Sequence, residues 1–214
     1  MGVPAQPAVT PAGLRLVREV LGRGDYAIIG EIIEPKAKVL DLGCGDGQLL
    51  EWLADNKQVR ASGVEISRER VQQAIARGVS AYQGDIDQGL ADYPDKAFDY
   101  VILSQTLQQT LKPLRVLTEM LRVGNRIIVA FPNFGHWRVR WSHLVSGRAP
   151  RTGLFPYEWY ESPNIHFLTI DDFEILCRDQ NWVVERRYFL SGNHRVASMP
   201  NLMAEIAVYC IRKA

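Results

Sequence analysis

The sequence predicts an α/β protein built on a doubly wound, mostly parallel sheet. Short strand-like runs alternate with helical patterns from Lys38 onward, a βαβ rhythm that calls for parallel pairing through right-handed crossovers. The run FDYVILS at residues 98–104 is almost continuously apolar, as a strand buried on both faces must be. The first run also ends in three alternating glycines, Gly43, Gly45 and Gly47, which turn the chain into a helix.

The elements follow in order. Residues 1–11, rich in Pro, Ala and Gly, read as a flexible lead. Leu14, Val17 and Leu21 then recur at helical spacing. A short helix is expected over residues 25–33, with Asp25 as its cap and Pro35 as its stop. Residues 38–42 (KVLDL) form a strand and residues 48–56 a helix, with apolar positions at Leu49, Leu50 and Leu53. Residues 60–66 (RASGVEI) read as a second strand and residues 67–77 as a helix capped by Ser67. Residues 79–83 and 98–104 make the third and fourth strands. Pro113 opens a helix and Gly124 closes it, and residues 126–131 (RIIVAF) make the fifth strand. Residues 12–214 read as one domain, with an aromatic- and Arg-rich insertion at about 133–168 that contains a helix over residues 134–147. Thr169 opens another helix, with Asp171 and Asp172 in the first turn where the helix dipole favours them. Residues 182–190 and 205–212 give two final strands, and residues 191–201 the loop between them.

Composition narrows the setting. Of 214 residues, 47% are apolar and 23% charged, enough for a substantial core. Lys+Arg 25 against Asp+Glu 24 leaves a net charge of +1, so nucleic acid and acidic lipid are not expected partners. Cys44, Cys177 and Cys210 lie far apart and in no metal-ligand spacing. A reduced, cytoplasmic protein without a metal site is the simplest expectation. No apolar run approaches the roughly 20 residues that span a bilayer, and no signal peptide is evident.

The segment VLDLGCGDGQL, residues 39–49, carries the chemistry. It delivers Asp41 at a strand end and bends sharply through the glycines so that a ligand can approach the backbone. The spacing is GxGxG, not the GxGxxG of dinucleotide sites. An anionic pyrophosphate would also be repelled by Asp41. S-adenosylmethionine has no phosphate and carries an ammonium and a sulfonium, so an acidic strand end suits it better. Glu65 ends the next strand, where its carboxylate can accept from both ribose hydroxyls. Dinucleotide sites use the same device, so Glu65 alone favours neither cofactor. Gly84-Asp85-Ile86 follows the third strand: Asp85 is placed to accept from an adenine amine and Ile86 to pack on the ring. Ser104 and Gln105 open the segment SQTLQ after the fourth strand. Each element alone has a plain reading as a cap, a turn or a solvated charge. Four in order at matching strand ends define a cofactor architecture, with Asp41, Gly43, Cys44, Gly45, Gly47, Glu65, Ile66, Asp85, Ile86, Ser104 and Gln105 as its binding residues.

Through DLGCGDG and Glu65 the chain resembles the class I S-adenosylmethionine-dependent methyltransferase superfamily. That resemblance implies a Rossmann-like, seven-stranded sheet whose last strand is antiparallel. The strings DYVILSQTLQ, FPNFGHWRVR and LFPYEWYESPNIHFLTIDDF are more specifically similar to the MetW family of methionine-biosynthesis proteins. A small departure stands at Glu161-Ser162, where the family commonly has an Asp-Thr pair. The resemblance implies S-adenosylmethionine or S-adenosylhomocysteine as the bound ligand. It further implies partnership with the homoserine O-acyltransferase MetX, as its accessory or activator. The alternative is a methyltransferase acting on a small-molecule acceptor.

Methyl transfer from a sulfonium is largely a matter of positioning, so little catalytic apparatus need be visible. The chain has no [DN]PP[YFW] motif and no Pro-Cys nucleophile. His136 and His166 are the general-base candidates, with Asn133 a third polar candidate, and for each a structural role competes. Trp137, Trp141, Phe155, Tyr157, Trp159 and Tyr160 either cover a pocket, dock a partner or pack over the sheet edge. Arg138, Arg140, Arg148 and Arg151 are expected to meet a partner protein, since four arginines at net charge +1 are weak grounds for nucleic acid.

Overall fold

The computed structural model describes residues 23–192 and 194–214. The expected lead and the helical pattern at Leu14–Leu21 lie outside these residues. From Arg23 the chain runs α1 (Gly24–Ile32), β1 (Lys38–Leu42), α2 (Gln48–Lys57), β2 (Arg60–Glu65), α3 (Arg68–Ala76), β3 (Ser80–Gln83) and β4 (Phe98–Ser104). It continues through α4 (Pro113–Val123), β5 (Gly124–Pro132), α5 (Trp137–Ser146), α6 (Ile170–Asp179), β6 (Trp182–Ser191), β7 (His194–Arg195), α7 (Pro200–Met203) and β8 (Ile206–Lys213). Single 3-10 turns at Ile86–Gln88 and Leu107–Gln109 follow β3 and β4.

The sheet order is β3-β2-β1-β4-β5-β8-β6-β7. The first five strands pair in parallel, and β8 joins β5 and β6 antiparallel. The doubly wound fold with an antiparallel last strand is therefore present. An eighth strand, β7, is added to the seven expected. It pairs only Leu190 with Arg195 and Ser191 with His194, too short for any alternation to show in the sequence.

Alternate residues of each central strand feed opposite faces. Val39, Tyr100, Ile102 and Ile128 point into one core, with Ile28, Ile29, Leu50, Leu53 and Ala74 of α1, α2 and α3. Leu40, Val101, Leu103 and Val129 point into the other, with Leu117, Met120 and Phe173 of α4 and α6. Each fully buried Leu, Ile or Phe contributes about 1.5–3 kcal/mol of transfer free energy, so both faces anchor the strands that carry the site.

Local signals account for several helix ends. The Ser67 hydroxyl accepts from Arg70 N–H. Thr169 and Asp172 form a reciprocal capping box at α6. Pro113 stands in the first turn of α4, and Gly124 ends that helix. Asp25 is a correction: it does not cap α1. It sits inside the first turn, buried, and its carboxylate faces Arg23 and Ser104.

Candidate functional site

Strand order reverses between β1 and β4, the point at which open α/β sheets hold ligands outside their carboxyl ends. A cavity of about 520 Å³ opens there, walled by the glycine turn, the ends of β2 and β4 and the loop after β3. A smaller one of about 430 Å³ adjoins it and shares Val64, Gly84, Asp85 and Ile86.

The glycine turn is obligatory. Gly43 has φ +76°, and a Cβ there would meet Thr106 Oγ1 at 2.7 Å. Gly47 has φ +81°, and a Cβ would lie 2.9 Å from that of Ala74. Gly45, at φ +58°, is different: a Cβ would stand in open space on the cavity wall. The turn is pinned to β2, because Gly43 N–H and Cys44 N–H both donate to the Val64 carbonyl, at 2.7 and 3.1 Å.

Glu65 reaches across this junction. Its Oε2 accepts from Gly45 N–H at 3.0 Å and its Oε1 from Ser67 N–H at 2.9 Å. The carboxylate is thus held rigidly on the cavity wall, and each oxygen keeps a further lone pair. Beside it Ile66 presents 66% of its surface to solvent, an apolar face open for a ring to lie on. Asp85 stands opposite, its side chain accepting from Asp87 N–H at 2.9 Å. Asp87 in turn accepts from the amides of Leu111 and Lys112.

Asp41 lies at the end of β1, buried, and its Oδ1 finds no hydrogen-bond partner among the described residues. Burial pushes its carboxyl up to about 7; the Arg23 charge opposes this, while Glu65 and Asp25 add to it. An orphaned buried oxygen costs about 1–3 kcal/mol until a donor reaches it.

Arg23 and Tyr26 also line the cavity, and sequence reasoning missed both. The Arg23 guanidinium donates to Asp25 Oδ2 at 2.6 Å, to Ser104 Oγ at 3.0 Å and to the Tyr26 hydroxyl at 2.8 Å. Its carbon sits 4.0 Å from the Tyr26 ring centroid, a cation–π contact. Ser104 donates to Asp25 Oδ2 at 2.6 Å. No motif marks these residues, since α1 precedes the glycine turn by a dozen positions and only folding brings them together.

Of the expected binding residues, Gly43, Gly45, Glu65, Ile66, Asp85, Ile86, Ser104 and Gln105 line the cavity. Asp41, Cys44 and Gly47 stand behind it. Cys44 faces the sheet, where a Cβ on Gly63 would collide with its Sγ, and burial pushes its thiol up to about 12. Gln105 takes a left-handed conformation, φ +56°, which turns the chain over the cavity.

The three catalytic candidates are placed elsewhere. Asn133 is wholly buried and uses both ends of its amide: Nδ2 donates to the carbonyls of Asn201 and Ala204, and Oδ1 accepts from Gly135 and Ile170 N–H. His136 caps α5, its Nδ1 accepting from Arg138 N–H, and burial lowers its pKa. His166 is fixed through its backbone, Ile165 N–H and His166 N–H both donating to the Gln108 carbonyl, at 2.8 and 3.0 Å. None of the three lines the cavity.

The aromatic group divides. Phe155 is buried and stacks on Phe134 at 3.7 Å between centroids, while Trp137, Trp141, Tyr157, Trp159 and Tyr160 face solvent. Among the described residues no group of three or more His, Cys, Asp or Glu stands in metal-binding arrangement, and no helix is long and apolar enough to cross a membrane.

The fold is that of the class I S-adenosylmethionine-dependent methyltransferases. One such methyltransferase from Mesorhizobium loti aligns at TM-score 0.67 and 14% identity, covering 90% of this chain and 99% of that one. The 4+2 cyclase SpnF aligns at TM-score 0.62 and 20% identity, covering 94% and 80%, so the fold by itself does not assign a reaction. Over residues 23–211 the chain matches the methionine biosynthesis protein MetW, and it belongs to the MetW family. A bifunctional methionine biosynthesis protein MetXA/MetW from Rhodopirellula baltica is 36% identical over 202 residues, covering 88% of this chain and 32% of the relative. The chain spans 32% to 40% of the lengths of the curated relatives it matches.

Proposed function

We propose that the chain binds S-adenosylmethionine, or its demethylated product, in the cavity at the β1, β2 and β4 ends, and that it acts in methionine biosynthesis as the accessory subunit of the homoserine O-acyltransferase MetX. The residues fit the cofactor. Glu65 stands where a ribose diol would donate, Ile66 and Ile86 offer apolar faces to an adenine ring, and Asp85 offers an acceptor to its amine. The amino-acid moiety would lie against the glycine turn, where Arg23 answers a carboxylate and the charge of Asp41, buried behind the turn with one oxygen unpartnered, attracts an ammonium.

The accessory role rests on one observation: a relative in which MetXA and MetW are parts of a single chain. Placement of the polar candidates is consistent with binding in preference to turnover, because Asn133 and His136 spend their hydrogen bonds on holding α5 and its neighbours. When bound, the cofactor would supply an electrophilic methyl or simply report the level of the pathway's product. A second reading, methyl transfer to a small acceptor, is favoured by the 33% identity with ajmaline N-methyltransferase of Rauvolfia serpentina, which covers 52% of this chain.

Acyltransferase turnover, measured with and without this protein and each with and without S-adenosylmethionine, separates the readings. Stimulation is the expected outcome, and its dependence on cofactor decides whether the site senses product. No stimulation, together with methyl release to an acceptor, would replace the accessory reading by the enzymatic one.

A further inference from the structure

The insertion after β5 is built to face outward. Among the residues of α5 only Val139 is buried. Trp137, Trp141, Leu144 and Val145 recur at i, i+4, i+7 and i+8, so they form one stripe, and they are 42, 61, 76 and 66% exposed. An apolar stripe normally turns toward the core; here it is turned away. In the strap that follows, Trp159 and Tyr160 are also exposed and pack edge to face at 5.5 Å.

The support beneath is rigid. Phe134, at the entry to α5, stacks on Phe155 and meets Phe167 edge-on at 4.7 Å. Asn133 and His136 lock the same entry with the hydrogen bonds described above. Large exposed apolar side chains on a fixed support mark a docking surface. From Trp137 to Arg151 the chain carries four arginines and no acid. Arg140 is tied back to the Gly135 carbonyl at 2.6 Å, and Arg151 pairs with Glu158. Arg138 is 61% exposed and holds Glu205 only at 3.5 Å. Along α5 the stripe is flanked by the cations Arg138 and Arg148, while Glu158 and Glu161 bracket the two aromatics of the strap.

We propose that the α5 stripe docks the acyltransferase, through an apolar patch on that enzyme with acidic groups placed to meet Arg138 and Arg148. This deepens the accessory reading and rests on it. The occupant is identified by the fused relative, where the MetXA portion shares a chain with the MetW portion and tethering keeps the two at high effective concentration. A second copy of this chain is a poorer occupant, since residues 137–151 offer no acid to answer Arg138 and Arg148.

The test uses the full chain and the separate acyltransferase, with Trp141→Glu combined with Leu144→Glu. Both positions are solvent-facing and outside the cofactor cavity. The expected result is a loss of acyltransferase affinity of about 30-fold or more, read by co-elution and by calorimetry, with unchanged S-adenosylmethionine titration. If the unmodified protein fails to bind the acyltransferase, the accessory reading itself fails. If the unmodified protein binds and the variant binds equally, only the placement is overturned. A variant that abolishes self-association and leaves acyltransferase binding intact assigns the face to a second copy, which also overturns the proposal. Should the helix variant not fold, Arg138→Glu with Arg148→Glu decides instead: a loss of affinity of tenfold or more at low salt is expected, and none at all refutes the docking face.

Discussion

Asp41 is buried with one oxygen unbonded, and its charge state is what a cationic ligand would change. The sign follows from linkage. Its folded value, about 7, lies above the ordinary carboxylate value near 4, so between those values the folded chain holds an extra proton and Asp41 makes folding less favourable as pH rises. An ammonium prefers the ionised form, and its affinity should rise as pH climbs through about 7. Calorimetric titration of S-adenosylmethionine between pH 6 and 8 should therefore show tightening in the native protein. In Asp41→Asn the part of the slope due to Asp41 should be lost and binding weakened by about 1–3 kcal/mol. The ligand's own amino group titrates in both, so the difference isolates Asp41; identical slopes would refute the assignment. Glu65→Ala should weaken binding on the same scale, with the slope still present but moved to lower pH because Glu65 no longer raises Asp41.

At the level of elements, the insertion helix depends on an uncommon cap. His136 accepts from Arg138 N–H through Nδ1, which requires that nitrogen to be unprotonated. Burial lowers its pKa below the ordinary 6.5. The unfolded chain then takes up the proton first as pH falls, so this histidine contributes stability above about pH 6.5 that is lost on acidification. His136→Asn, a cap that does not titrate, should flatten the native protein's loss of thermal stability between pH 7 and 5. An unaltered pH profile would show that the cap carries no weight. Such a cap was not legible in the sequence, where His136 read as a general-base candidate against which a hydrogen-bonded structural histidine was the stronger reading. The strand ends were legible because each strand feeds two cores, and a run such as FDYVILS can hardly be anything else. Asp25 misled for the opposite reason: capping residues are recognised by type, but its carboxylate found Arg23 and Ser104, partners supplied by the fold. Arg23 and Tyr26 gave no signal for the same reason, and β7 is too short to have a period.

For the molecule as a whole, the cavity and the strap that carries Trp159 and Tyr160 are joined through a backbone oxygen. Gln105 and Pro163 both line the cavity. The Gln108 carbonyl, on the turn between them, accepts from Ile165 N–H and His166 N–H. Ligand binding should therefore quiet both regions together. Hydrogen exchange with and without S-adenosylmethionine should show slower exchange at Ile165 and His166 as well as along residues 105–110. Protection confined to the cavity amides would mean that the strap is mechanically independent.

A carbonyl has two lone pairs, and this one has spent both on neighbouring residues of the same strap, so the turn cannot shift without pulling on the strap or breaking bonds to it. Whatever free energy passes from cavity to partner must then return in equal measure. On the proposed reading, an acyltransferase that binds the cofactor-loaded form more tightly also tightens the cofactor. The concentration at which the protein responds to S-adenosylmethionine would then depend on how much acyltransferase the cell holds, so that the abundance of the regulated enzyme sets the threshold of its own regulator.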